Sequence, residues 1–142
     1  MSPFVRRLIL GATTLVVLGA APLAAQSAKT TKPKGGDPIV QDRPLSAWIA
    51  DLSGDAPYTR VSAAYAVGSA GAQAKAAVPA LIANLSSENA TVRYSSCLAL
   101  GEIGPPAADA VPALQKLLDD RNDDIAFMAK KSIKAITGEA VE

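Results

Sequence analysis

The side chains equipped for chemistry are few. Cys97 is the sole thiol, and a thiolate is a nucleophile and a soft metal ligand. Asp119, Asp120, Asp123 and Asp124, with Asn122 among them, gather oxygen donors of the kind a hard divalent cation takes. Arg60 and Arg93 each follow an acid (Asp55, Glu88) by five residues and could hold an anionic ligand. Lys130, Lys131 and Lys134 make a small basic cluster, and Trp48 is the single tryptophan, a ring able to stack on a ligand.

Most catalytic chemistries lack a partner here. The chain has no histidine, so it holds no Ser-His-Asp or Cys-His nucleophile pair and no imidazole metal site. One cysteine makes neither an internal disulfide nor a cysteine-rich zinc site. The acidic cluster lacks the Asp-x-Asp-x-Asp-Gly loop of a calcium site, and its acids suit a helix start as caps and dipole partners. No glycine-rich phosphate loop and no evident acid/base carboxylate couple is present. Neither a cofactor nor a metal is expected. A formal net charge of +1 over 142 residues argues against nucleic acid as a partner.

The elements that position these residues come from a repeat. Residues 59–91 align with 92–124 without a gap at 13 identical positions. Arg60 falls on Arg93, Gly68 on Gly101, Gly71 on Gly104, Val78-Pro79-Ala80-Leu81 on Val111-Pro112-Ala113-Leu114, and Asn89 on Asn122. A second half-repeat precedes (residues 43–56, with Leu45, Trp48, Ile49 and Leu52 in register). A first half-repeat follows (residues 123–137, with Ile125, Phe127, Ile133 and Ile136 in register). A repeat this long is one supersecondary unit that buries its core by stacking on neighbours.

Each repeat reads as two helices. The first spans roughly 57–70 and 90–103, with apolar residues at helical spacing: Val61, Ala64, Tyr65, Val67, then Val92, Tyr94, Leu98, Leu100 and Ile103. Gly71 and Gly104 serve as left-handed stops. Gly68 and Gly101, inside the helix at a cost of about 1 kcal/mol against alanine, point to close helix–helix approach. The second helix spans roughly 76–85 and 108–118, with Pro79 and Pro112 tolerated in its first turn.

These features resemble HEAT-like repeats of the phycobilisome-lyase type. The resemblance rests on Val92-Arg93 through Ala99-Leu100-Gly101-Glu102-Ile103-Gly104, then Ala110-Val111-Pro112-Ala113-Leu114. Residues 60–85 follow it more loosely, with Ala70 where the family has isoleucine. It covers about residues 43–137. It implies an all-α fold, a short right-handed α-solenoid of stacked antiparallel helix pairs with about five helices. It also implies that Arg60 and Arg93 belong to charge ladders between repeats. The third repeat breaks that ladder with Ala126.

The ends should be caps, because a stack needs closed termini. Lys130, Lys131 and Lys134 replace Cys97, Leu98 and Gly101, while Ile125, Phe127, Ile133 and Ile136 keep the buried side apolar. Trp48 replaces the repeat's leucine and would cover the other end. Cys97 aligns with Ala64 and reads as a small core residue.

In the fold the resemblance implies, the second helices line the concave side. Two columns of outward positions follow at the repeat spacing: Ala50, Ala83 and Lys116; and Asp51, Asn84 and Leu117. Small residues there would make a shallow floor for a helix or extended segment of a protein partner. With three stacked units, near the lower limit for a solenoid, a homodimer is a second way to gain buried surface.

Residues 1–25 carry Arg6-Arg7, an apolar run from Leu8 to Leu18 and a small-residue close, the order of a secretory signal peptide cleaved after Ala25 or, second, Ser27. The alternative is a retained membrane anchor, for which the run is short. Removing residues 1–25 leaves a net charge of −1. Residues 26–38 read as a flexible linker, and 39–142 as the repeat domain. The expectation is an exported, periplasmic or secreted, non-catalytic protein-interaction scaffold. Rival expectations are a subunit of a bilin lyase and a structural envelope component.

Overall fold

The computed structural model describes residues 35–140. The expected signal peptide, residues 1–25, and the linker up to Lys34 lie outside the described residues. Six α-helices carry the fold: α1 (Leu45–Asp51), α2 (Pro57–Ser69), α3 (Val78–Asn84), α4 (Ala90–Ile103), α5 (Val111–Lys116) and α6 (Asp123–Thr137). The expectation of about five is one short. Each of α2, α4 and α6 is the first helix of a repeat, and α1, α3 and α5 are the second helices. The architecture is the all-α stack of helix pairs that the repeat requires.

Local chemistry sets the helix ends at the repeat spacing. The Asn89 side chain accepts from the Thr91 and Val92 N–H groups at 2.9 and 3.2 Å, and Asn122 accepts from Asp124 N–H at 3.0 Å. These caps satisfy first-turn donors that have no intrahelical partner. Gly71 and Gly104 leave the helices at φ +56° and +74°, where a side chain would be strained.

The second helices are shorter than the spacing predicts. Regular α structure starts only at Val78 and Val111, after 3-10 turns over Gly71–Ala77 and Pro105–Ala110. Pro79 and Pro112 have no N–H to continue the α ladder backwards, so the preceding residues close with tighter bonds. Ala74 (φ −87°, ψ 20°) and Ala107 (φ −93°, ψ 20°) make the same kink one repeat apart.

The core runs through the whole stack and is built from matched layers: Val67, Leu100 and Ile133 on the first helices, Leu81 and Leu114 on the second. All five are buried, as are Leu45, Leu52 and Leu85. α2 packs on α4, and α4 on α6, to equal extent. The interior glycines explain how closely. A Cβ on Gly68 would come to 3.1 Å from Ala99 Cα and overlap the Glu102 carboxylate, and one on Gly101 would come to 3.2 Å from Ser132 Cα.

Two apolar positions expected inside are outside. Tyr65 is 44% and Phe127 67% exposed. Tyr65 lies on α2 and Phe127 on α6, at positions where helical spacing alone does not separate a core flank from a surface.

The front end holds an element that the helical reading omitted. Ile39–Val40 and Arg43–Pro44 pair as a two-stranded antiparallel hairpin. Gln41 (φ 48°) and Asp42 (φ 61°) form its tight turn, the positive φ at both central positions that such a hairpin needs. Val40 O accepts from Trp48 Nε1 at 2.9 Å, the Arg43 guanidinium lies 4.0 Å from the Trp48 ring centroid, and Arg43 pairs with Asp51 at 3.0 Å. Trp48 thus packs partly buried against the core under the hairpin. The folded body also begins earlier than residue 39. Pro38 O accepts from Leu45 N–H at 2.8 Å, and the Asp37 carboxylate accepts from Ser46 N–H at 3.2 Å. These bonds satisfy the first turn of α1 and remove both residues from the linker.

Candidate partner-binding surface

The two columns expected on the second helices separate. Ala50 on α1, Ala83 on α3 and Lys116 on α5 are all exposed, one repeat apart. The second column turns inward. Asn84 is only 6% exposed, and its Nδ2 donates to Leu52 O at 2.9 Å. Leu52 O lies just past the end of α1, where carbonyls lack an intrahelical donor, so Asn84 is a cross-link between successive second helices. Asp51 is half-buried in its ion pair with Arg43, and Leu117 is half-buried against the core. The physical reason is the 100° step per residue, which carries the neighbour of an outward position toward the adjoining helix.

The accessible floor is therefore one column, flanked by positions the sequence reading did not single out. Ala80 and Ala113 are half-buried beside it, and Pro79 and Pro112 are exposed. Beside α3 the surface dips into a cavity of about 640 Å³, lined by the apolar Val78, Pro79, Ile82 and Pro106 and by the charged Lys75 and Asp109. The repeated Val-Pro-Ala-Leu motif marks one wall. Lys75 and Asp109 are not repeat equivalents, so nothing in the alignment joins them.

The residues equipped for chemistry are occupied otherwise. Cys97 is buried, and burial, with the negative charge of Asp120 second, pushes its thiol up to about 12. It stays protonated at neutral pH. Arg93 is also buried. Its Nε and Nη2 donate to the two carboxylate oxygens of Asp120 at 2.9 and 3.2 Å, and its Nη1 donates to Ser87 O at 2.8 Å and Glu88 O at 3.1 Å. The ladder of charges expected between repeats is not what Arg93 makes: its carboxylate partner Asp120 lies in the same repeat, and it reaches the preceding repeat through the Ser87 and Glu88 carbonyls. The Arg93 hydrogen bonds, foremost, hold the Asp120 carboxyl below the usual carboxylate range.

That bond takes Asp120 out of the acidic cluster, and Asp123 and Asp124 start α6. Among the described residues, no three His, Cys, Asp or Glu side chains are placed to hold a metal ion. Arg60, one repeat before Arg93, is in no ion pair among the described residues. Ser87 stands where Asp120 would be, and Arg60 Nε is buried without a hydrogen-bond partner among the described residues. Lys130, Lys131 and Lys134 are exposed on α6.

A sequence-family profile of HEAT repeats matches residues 45–135, from the first helix to the last. The chain belongs to the HEAT-repeat family. No curated protein matches it. The matched span runs from the start of α1 into α6 and begins just after the hairpin. HEAT repeats form interaction scaffolds, a family generally without catalysis. No helix among the described residues is long and apolar enough to cross a membrane.

Proposed function

We propose that this HEAT-repeat protein is an exported, non-catalytic scaffold that binds a segment of a protein partner on the face of α1, α3 and α5. One observation carries the reading. Three consecutive second helices expose Ala50, Ala83 and Lys116 at one-repeat spacing, on a fold of the interaction-scaffold kind. Small side chains let a partner's backbone come close, and a column repeated along the stack matches the extended surfaces through which solenoids bind.

The experiment is capture from an envelope extract with the full-length protein and with the Ala50→Glu/Ala83→Glu variant. Both sites are exposed, so the variant should keep its helicity by circular dichroism. A partner held by the first and lost from the second supports the reading. A partner held equally by both moves the site elsewhere. Export rests on the order of residues 1–25, and the mass of the N-terminus recovered from the envelope fraction tests it. A mature chain beginning at Gln26 is the expected result.

A further inference from the structure

α6 is the last helix described, and it carries a face unlike its equivalents. On α4, the positions Tyr94, Cys97, Leu98 and Gly101 form the surface on which α6 lies. Ser132 Oγ donates to Cys97 O at 2.7 Å, and Met128 lies in two successive grooves, one beside Tyr94 and one beside Leu98. One repeat on, the same positions of α6 are Phe127, Lys130, Lys131 and Lys134. All four are exposed, with Phe127 and Lys131 at the edge, where they also line the two α4–α6 grooves. None of the lysines is in an ion pair among the described residues, whose ion pairs are Arg43–Asp51 and Arg93–Asp120.

We propose that this face receives an acidic helix of a partner protein, laid on α6 as α6 lies on α4. It is a different surface from the second-helix column and goes beyond the reading built on that column. Charge complementarity selects the occupant. Amines at stacking positions are costly to cover unless carboxylates meet them. They reject an apolar helix, and they equally reject a second copy stacked in register, while accepting a helix that carries acids.

The repeat geometry sets where those acids stand. A residue placed as Met128 is on α4 would meet Phe127. A residue placed as Ser132, which packs on Gly101 and bonds Cys97 O, would stand by Lys130 and Lys134, and one placed as Ala135, which lines a groove with Leu98, would stand near Lys131. The expected pattern is an apolar residue followed four and seven positions later by Asp or Glu. Lys134 in place of Gly101 keeps the two axes farther apart than those of α4 and α6, so the contact runs through lysine–carboxylate pairs.

The probe is a peptide of the α6 sequence Asp123–Thr137 carrying Ser132→Glu and Ala135→Glu, titrated into full-length protein labelled with 15N. The control peptide carries Lys at both positions. Saturable shifts confined to α6 with the acidic peptide, and at least ~10-fold weaker binding of the control, are expected. Raising salt from about 50 to 500 mM, which shrinks the screening length, should weaken binding by a similar factor. The Lys130→Glu/Lys134→Glu protein should lose the acidic peptide, whereas Ala83→Glu should bind it unchanged, which separates this face from the second-helix column. Equal binding of the two peptides would overturn the proposal. Lysine-dependent binding to phosphatidylglycerol vesicles with no response to the acidic peptide would overturn it too, by assigning the face to a membrane surface.

Discussion

At the junction between the second full repeat and α6, Arg93 is held on all sides: a carboxylate on one edge of its guanidinium, two backbone carbonyls on the other. One repeat earlier the same position is Arg60, the carboxylate is replaced by Ser87, and Nε finds no acceptor among the described residues. The earlier junction is tied elsewhere, by the Asn84 amide on Leu52 O, and at that register the later junction has Leu117. The backbone repeats, but the polar cross-links do not. A buried polar group must find some partner, and the stack can supply it from either layer. The first-helix layer does so at Arg93 and the second-helix layer at Asn84.

The largest test of this contrast is the arginine pair. Arg93→Ala leaves Asp120 and two carbonyls unpaired in a buried setting and should cost about 3 kcal/mol or more of unfolding free energy in urea. Arg60→Ala, with no such partners to orphan, should cost under about 1 kcal/mol. Equal losses would mean that the two junctions carry the same load after all. Asn84→Ala comes next. It strands Leu52 O and should cost roughly 1–3 kcal/mol, measured the same way. A near-neutral result would show that water replaces the amide.

Gly101→Ala probes the close approach itself. Its Cβ would crowd Ser132, whose Cα lies at 3.2 Å, so an overpacking cost of about 1–3 kcal/mol should exceed the roughly 1 kcal/mol of helix propensity gained. A net rise in melting temperature would contradict the tight crossing.

The Arg93 clamp also has a pH signature. The folded carboxyl of Asp120 titrates below its unfolded value, so its contribution is fully present above about pH 4 and is lost as pH falls through the folded pKa. Asp120→Asn should remove that part of the acid-induced loss, and acid titrations that superimpose for the two proteins would count against it. The smallest effect expected is a gain. Ser87→Asp should supply Arg60 with the carboxylate it lacks and raise stability by up to about 1 kcal/mol. A loss would show that Arg60 does not swing into the pose of Arg93.

The two ends of the stack show how far sequence reading reaches. The lysines of α6 could be read as exposed because they replace Cys97, Leu98 and Gly101 at known stacking positions. The front end could not be read that way. Its hairpin is two residues per strand, with no alternation to detect, and its turn uses Gln41 and Asp42 where a sequence search looks for glycine. The hairpin exists because Trp48, Arg43 and Asp51 give it something to lie on. The candidate floor divides in the same manner. Ala50, Ala83 and Lys116, one repeat apart, are all exposed; that Asn84 faces inward depends on a carbonyl 32 residues away.

The sequence alone determined the repeat length, the helix pairs, the stop glycines and the family, because these depend on bonds within a few residues or on periods that recur. Tertiary structure alone decided which arginine is saturated, which of two neighbouring columns meets solvent, that Tyr65 and Phe127 lie outside, and where the folded body begins. Each of those is settled by a partner on another helix, and local propensity carries no information about a neighbour brought close only when the stack forms.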